Sequence, residues 1–65
     1  MGSGFYRQLR ELLLQHGCTM VRQGKGSHEF WMSPINGARF SVAVTVNTRN
    51  TANAILKQAG IDAKL

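Results

Sequence analysis

Hydrophobic and polar positions alternate with two different periods along this chain, and the changes of period divide it into five segments. Phe5, Leu9, Leu12 and Leu13 recur at i, i+4, i+7 and i+8, with Arg7, Arg10, Glu11 and Gln15 filling much of the opposite face. This spacing predicts a helix from about Gly4 to His16, with Gly17 as its left-handed stop. Thr19 to Gln23, bounded by Gly17 and Gly24, reads as a short strand. Gly24 to Ser27 reads as a turn, its two glycines supplying positive φ. A second strand is expected from about His28 to Ser33, followed by a Pro34–Gly37 turn in which Asn36-Gly37 is a strong hairpin signal. A third strand runs from Arg39 to about Val46, with Phe40, Val42, Val44 and Val46 on one face and Ser41, Ala43 and Thr45 on the other. Thr48 to Thr51 holds several possible N-caps. Ala52, Ile55, Leu56 and Ala59 then return to helical spacing, with Lys57 in the last turn and Gly60 closing the helix.

The order α-β-β-β-α makes an α+β domain of two layers. Each helix carries one narrow apolar stripe, so both are expected on one face of a three-stranded antiparallel sheet, against Phe40, Val42 and Val44. The other face is then open and is a candidate contact surface. The second strand divides its large side chains. His28, Phe30 and Met32 share one face and Glu29 and Trp31 the other, and the pattern does not say which faces the core. With 65 residues the chain is a single domain. Met1 to Gly4, MGSG, reads as a tag remnant or a frayed start and is given no role.

Charge changes the picture more than size does. Eight Lys and Arg against three Asp and Glu leave a net charge of +5. The sequence pI of about 10.4 exceeds the value of roughly 9 that marks nucleic-acid binders. Nucleic acid or an acidic protein is therefore the expected partner. The cations are scattered, so any basic surface has to be assembled by the fold. Cys18 is the only cysteine, which excludes an intrachain disulfide and suits a reducing compartment. No apolar run approaches the ~18 residues of a membrane span, and no signal peptide is apparent. A cytoplasmic protein with no membrane partner is expected.

The candidate chemistry lies in GKGSHEFW, residues 24 to 31. An imidazole exchanges protons near neutrality. A base can take the proton of a ribose 2′-OH, whose oxygen then attacks the adjacent phosphorus, and a nearby cation stabilises the phosphoryl charge. His28 is the candidate acid/base. Lys25 can reach a phosphate held at the turn, Ser27 can donate a hydrogen bond, and the backbone N–H groups of Gly24 to Ser27 can form an anion nest. Arg22 and Arg39 are further phosphate candidates. Gly-x-Gly without a following helix is not a dinucleotide or Walker loop, no Cys/His spacing indicates zinc, and no cofactor is called for. Ser27 and His28 point apart as strand neighbours and form no triad. Glu29, on the face opposite His28, is a poor orienting partner for it. His16 at a helix C-terminus reads as a cation favoured by the dipole. Trp31 and Phe30 can stack bases, although at least one of them is expected in the core.

The segments VRQGKGSHEFW, PINGARFSVAV and TANAILKQAGI together resemble the HicA family of toxins from bacterial toxin–antitoxin pairs, over nearly the whole chain. The resemblance implies a double-stranded-RNA-binding-domain-like fold and mRNA interferase activity, with the active histidine of the G-S-H segment at His28. It also implies a HicB-type antitoxin that binds the toxin and covers the site. Many members carry a further histidine after the third strand. Ala43 to Thr48 has none here, so Lys25, Arg49 or water would have to serve instead. Two other functions fit the same pattern: a non-catalytic RNA-binding module, and a structural subunit that docks an acidic protein. Against the former, the start of the second helix, Asn50 to Ala54, holds no lysine.

Overall fold

A computed structural model describes residues 4–65; of the MGSG segment, only Gly4 falls within the described residues. The elements are α1 (Tyr6–Gln15), β1 (Thr19–Gln23), β2 (His28–Met32), β3 (Arg39–Ala43) and α2 (Arg49–Gln58). The strands form one antiparallel sheet in the order β1-β2-β3. This is the expected α-β-β-β-α arrangement of a double-stranded-RNA-binding-domain-like α+β fold. Leu9 and Leu13 of α1 and Ala52, Ile55 and Leu56 of α2 join Trp31, Phe40 and Val42 in a single core, so both apolar stripes bury against the same sheet face. No described helix is long and apolar enough to cross a membrane.

Both helices end by the same device. At α1, Gly17 adopts φ 85°, its N–H donates to the Leu14 carbonyl, and the N–H of Cys18 donates to Leu13. At α2, Gly60 adopts φ 75°, with Gly60 N–H to Lys57 and Ile61 N–H to Leu56. Each is a Schellman motif, in which the left-handed residue lets the chain reverse and satisfy the last carbonyls. The apolar residue after each glycine, Cys18 or Ile61, is buried. The start of α2 is capped by Thr48, whose hydroxyl accepts from the N–H of Thr51.

The β2–β3 connection seals these two ends. Ser33, fully buried, donates its hydroxyl to the Ala59 carbonyl at 2.6 Å. Asn36 donates its side-chain amide to the Gln58 carbonyl at 3.0 Å and accepts from Ala38 N–H. The turn falls at Pro34–Gly37 as expected, but its Asn36-Gly37 pair does not form a two-residue hairpin turn. Ser33 and Ala38 close it, and of Asn36 and Gly37 only Gly37 has positive φ. A two-residue type I′ turn needs positive φ at both positions. Asn36 instead spends its side chain on α2, the stronger demand here because helix-terminal carbonyls lack partners of their own.

The third strand is also shorter than its alternation implies. It stops at Ala43, where β2 has ended and only the Ser27 carbonyl remains to accept from Val44 N–H. A turn closed by Val46 N–H to the Ala43 carbonyl follows. Val44 is thereby turned out and exposed rather than packed beneath the helices, while Val46 stays in the core. Replacing Gly60 by Ala should cost about 1–2 kcal/mol, because an L-residue is strained in the left-handed region. The new Cβ would also lie 3.1 Å from the Asn36 amide nitrogen. Urea denaturation should show the loss as a lower midpoint with unchanged slope.

Candidate functional site

The paired strands set out the two sheet faces row by row. On the helix side lie the rows Met20–Trp31–Phe40 and Gln23–Glu29–Val42; on the open side lie Thr19–Met32–Arg39, Arg22–Phe30–Ser41 and His28–Ala43. Trp31 and Glu29 are buried, whereas Phe30 and Met32 are each 37% exposed. The division of β2 left open by its pattern is therefore settled: Trp31 belongs to the core, and His28 and Phe30 belong to the open face.

Arg22 reaches this face through a β-bulge. The pairing of β1 with β2 slips between Met20 and Arg22, leaving Val21 as the extra residue. Simple alternation from Thr19 would place Arg22 on the helix side. One inserted residue reverses every later side chain, and bulges commonly re-aim a side chain in this way. Arg22 thus pairs directly with Phe30, and its guanidinium lies 4.6 Å from the ring centroid. Across a strand pair, a diagonal neighbour is about 7–8 Å away, which is the relation of Arg22 to His28.

The turn before β2 holds its glycines for two different reasons. Gly26 has φ 62° and makes the bend. Gly24 has no positive φ; a Cβ there would sit 2.5 Å from Cε2 of Phe30, so Gly24 gives the Phe30 ring room to lie against the backbone. The turn closes with Gly24 N–H donating to the His28 carbonyl at 2.8 Å and His28 N–H to the Lys25 carbonyl at 3.2 Å. Gly24 N–H is consequently spent inside the turn and cannot serve the anion nest expected of this segment. Lys25 is exposed at the tip and Ser27 is half-buried. His28 is exposed at the first position of β2.

Four of the five sequence-selected residues, Arg22, Lys25, Ser27 and His28, come together at one end of the sheet. Arg39 does not. It pairs with Met32 while His28 pairs with Ala43, so four residues of strand, roughly 13 Å, separate them. It lies on the same open face at its far end. The recesses along α1, lined by Tyr6 and Arg7, and beside α2, lined by Asn53 and Lys57, do not include His28. Among the described residues, no three of His, Cys, Asp or Glu gather as ligands for a metal ion.

The family model for the HicA toxin of bacterial toxin-antitoxin matches residues 6–61, from the first residue of α1 to the residue after Gly60. The chain belongs to the HicA toxin family. No curated protein and no solved structure matches it. Membership makes this chain a toxin of the toxin–antitoxin kind and implies a partnership with an antitoxin.

One feature of this HicA chain was invisible in its pattern. Glu29, one residue past His28 and facing the other way, is a buried carboxylate with two donors on it, the Tyr6 hydroxyl and the Trp31 indole. The Tyr6 hydroxyl lies 2.9 and 2.8 Å from its two oxygens, and Trp31 Nε1–H donates at 3.0 Å. These hydrogen bonds compensate the cost of burying a carboxylate and tie the first turn of α1 to the middle strand. Nothing in a Tyr6–Glu29 separation of 23 residues marks the pair beforehand.

Burial raises the Tyr6 phenol above its ordinary 10.0, and the hydrogen bond and negative charge of Glu29 add to this against an opposing pull from Arg10. A raised folded-state value favours the protonated fold, so the contribution is complete below pH 10.0 and lost as pH rises through the folded value. Tyr6→Phe should destabilise the protein by about 1–2 kcal/mol near neutrality. The difference from wild type in urea midpoints should shrink once the pH passes 10.0.

Proposed function

We propose that this HicA toxin is a metal-independent endoribonuclease that cleaves mRNA at the open sheet face, with His28 as its acid/base. The observation that carries this reading is the placement of an exposed imidazole at the end of β2, with Lys25 on the turn before it and Arg22 on the neighbouring strand. An exposed, cationic sheet face suits a polyanionic polymer such as RNA.

In this mechanism the neutral His28 ring accepts the proton of a ribose 2′-OH. The 2′ oxygen bonds to the adjacent phosphorus and the bond from phosphorus to the 5′ oxygen breaks. That oxygen takes a proton from water or from the Lys25 ammonium. The products are a 2′,3′-cyclic phosphate and a 5′-hydroxyl end. Lys25, Arg22 and the Ser27 hydroxyl hold the phosphate oxygens as their charge develops, and Arg39 meets a phosphate farther along the strand. A HicB-type antitoxin inhibits the toxin by covering the same face, and the free toxin acts in the cytoplasm.

Purified protein should cut single-stranded mRNA equally well with and without a chelator and leave cyclic-phosphate ends. His28→Ala should reduce the rate by about 10²–10⁴-fold with an unchanged circular dichroism spectrum. Undiminished cutting by the variant would remove His28 from the chemistry. Expression of the wild-type chain, but not of the variant, should arrest growth, and co-expression of the antitoxin should relieve the arrest.

A further inference from the structure

The open face carries an arrangement that acid/base chemistry at His28 does not require. Phe30 stands 37% exposed in the middle of the central strand, and two independent features of the backbone serve its position. The bulge at Val21 turns Arg22 onto the ring. The missing side chain at Gly24 lets the ring edge come down on the β1–β2 turn. The Arg22 guanidinium lies over this ring, 4.6 Å from its centroid. Together, Phe30 and Arg22 present a ring and a planar cation, and nucleobases stack on both kinds of surface.

The spacing relates this pair to the reacting atoms. Phe30 is two residues from His28 on the same face, roughly 6.6 Å along the strand. A single-stranded RNA whose phosphodiester lies at His28 would bring a base from the adjoining nucleotide over this row. The charge on the face, from Arg22, Lys25 and Arg39, fits a polyanion. A paired duplex would keep its bases in the helical stack and leave the aromatic unused.

We propose that the Phe30–Arg22 pair is a base-stacking platform that seats a nucleobase of single-stranded RNA beside the phosphodiester at His28. The proposal rests on the ribonuclease reading for which bond is held at His28, but RNA binding tests it separately. Binding is measured on the His28→Ala protein with a short single-stranded oligoribonucleotide carrying 2-aminopurine, whose fluorescence falls when the base stacks. The parent should bind and quench the probe. Phe30→Leu, which keeps apolar bulk, and Arg22→Lys, which keeps the charge but not the plane, should each lose about tenfold or more in affinity and most of the quenching. Phe30→Trp should retain both. The salt dependence should stay the same in Phe30→Leu, because no phosphate contact is removed. Arg22→Lys carries the test if Phe30→Leu fails to fold by circular dichroism.

Equal affinity and quenching in the parent, Phe30→Leu and Arg22→Lys would overturn the platform, even if wild-type protein cuts RNA. Loss of antitoxin binding with RNA binding intact would overturn it too, by making the pair a protein contact. If wild-type protein fails to cut RNA while the parent binds it through Phe30, the platform stands and the ribonuclease reading falls.

Discussion

The inward anchoring of Glu29 and Trp31 decides the rest of this small protein. Strand side chains alternate with a period of two, so once these two lie beneath the helices, His28, Phe30 and Met32 must face outward. A slip of one residue would bury the imidazole and expose the indole. Two forces resist that slip. Trp31 is almost fully buried among Leu9, Leu13 and Phe40, and the Glu29 carboxylate accepts from Tyr6 and from Trp31 itself. The hydrogen bonds fix direction as well as energy, because a buried carboxylate stripped of its donors is strongly unfavourable. Tyr6 stands in the first turn of α1, so the bond also sets where that helix begins on the sheet.

A second constraint acts at the opposite end of β2. A chain of 65 residues buries a smaller share of its surface than a larger domain and has little stability to spare. Here the β2–β3 loop serves both helix ends. Ser33 and Asn36 satisfy the last carbonyls of α2, and the loop packs closely against both left-handed glycines, Pro34 near Gly17 and Ile35 with Asn36 near Gly60. The middle strand is thus held at one end by α1 through Glu29 and at the other by α2 through Ser33. At the end held through Glu29, His28 lies on the opposite face, bordered by a glycine turn and solvent. Rigidity on the core side and openness on the other suit a site that must hold its groups in place yet admit a polymer.

Membership in the HicA family and the geometry of the open face support the same functional reading from different directions. The family match rests on residues 6–61 as a whole, whereas the geometry rests on a few side chains gathered near the turn. The bulge at Val21 links them: by bringing Arg22 beside Phe30, it turns a strand end with one histidine into a surface with an imidazole, a planar cation and an exposed ring.

Much of the architecture was legible in the chain itself. The helical stripes through Leu9 and Leu13 and through Ile55 and Leu56, the stops at Gly17 and Gly60, and the order α-β-β-β-α follow from local periodicity and from backbone freedom that glycine alone supplies. The candidacy of His28, Lys25 and Ser27 was equally local, since they share one turn. Tertiary structure decided the rest. Which face of β2 is buried depends on where the helices land, because Phe30 and Trp31 are both large and apolar. The bulge that re-aims Arg22 depends on β1 pairing with a particular register of β2, and pairing is invisible in one strand taken alone. Arg39 fell away from the turn because antiparallel pairing sends the start of β3 to the far end of β2. The partners of Glu29 come from a helix and a strand that only folding brings together, and Val44 turned outward because its strand ran out of a neighbour. Local rules act within a few residues and can be read in order along the chain; pairing and burial are long-range, and they exist only once the chain has closed on itself.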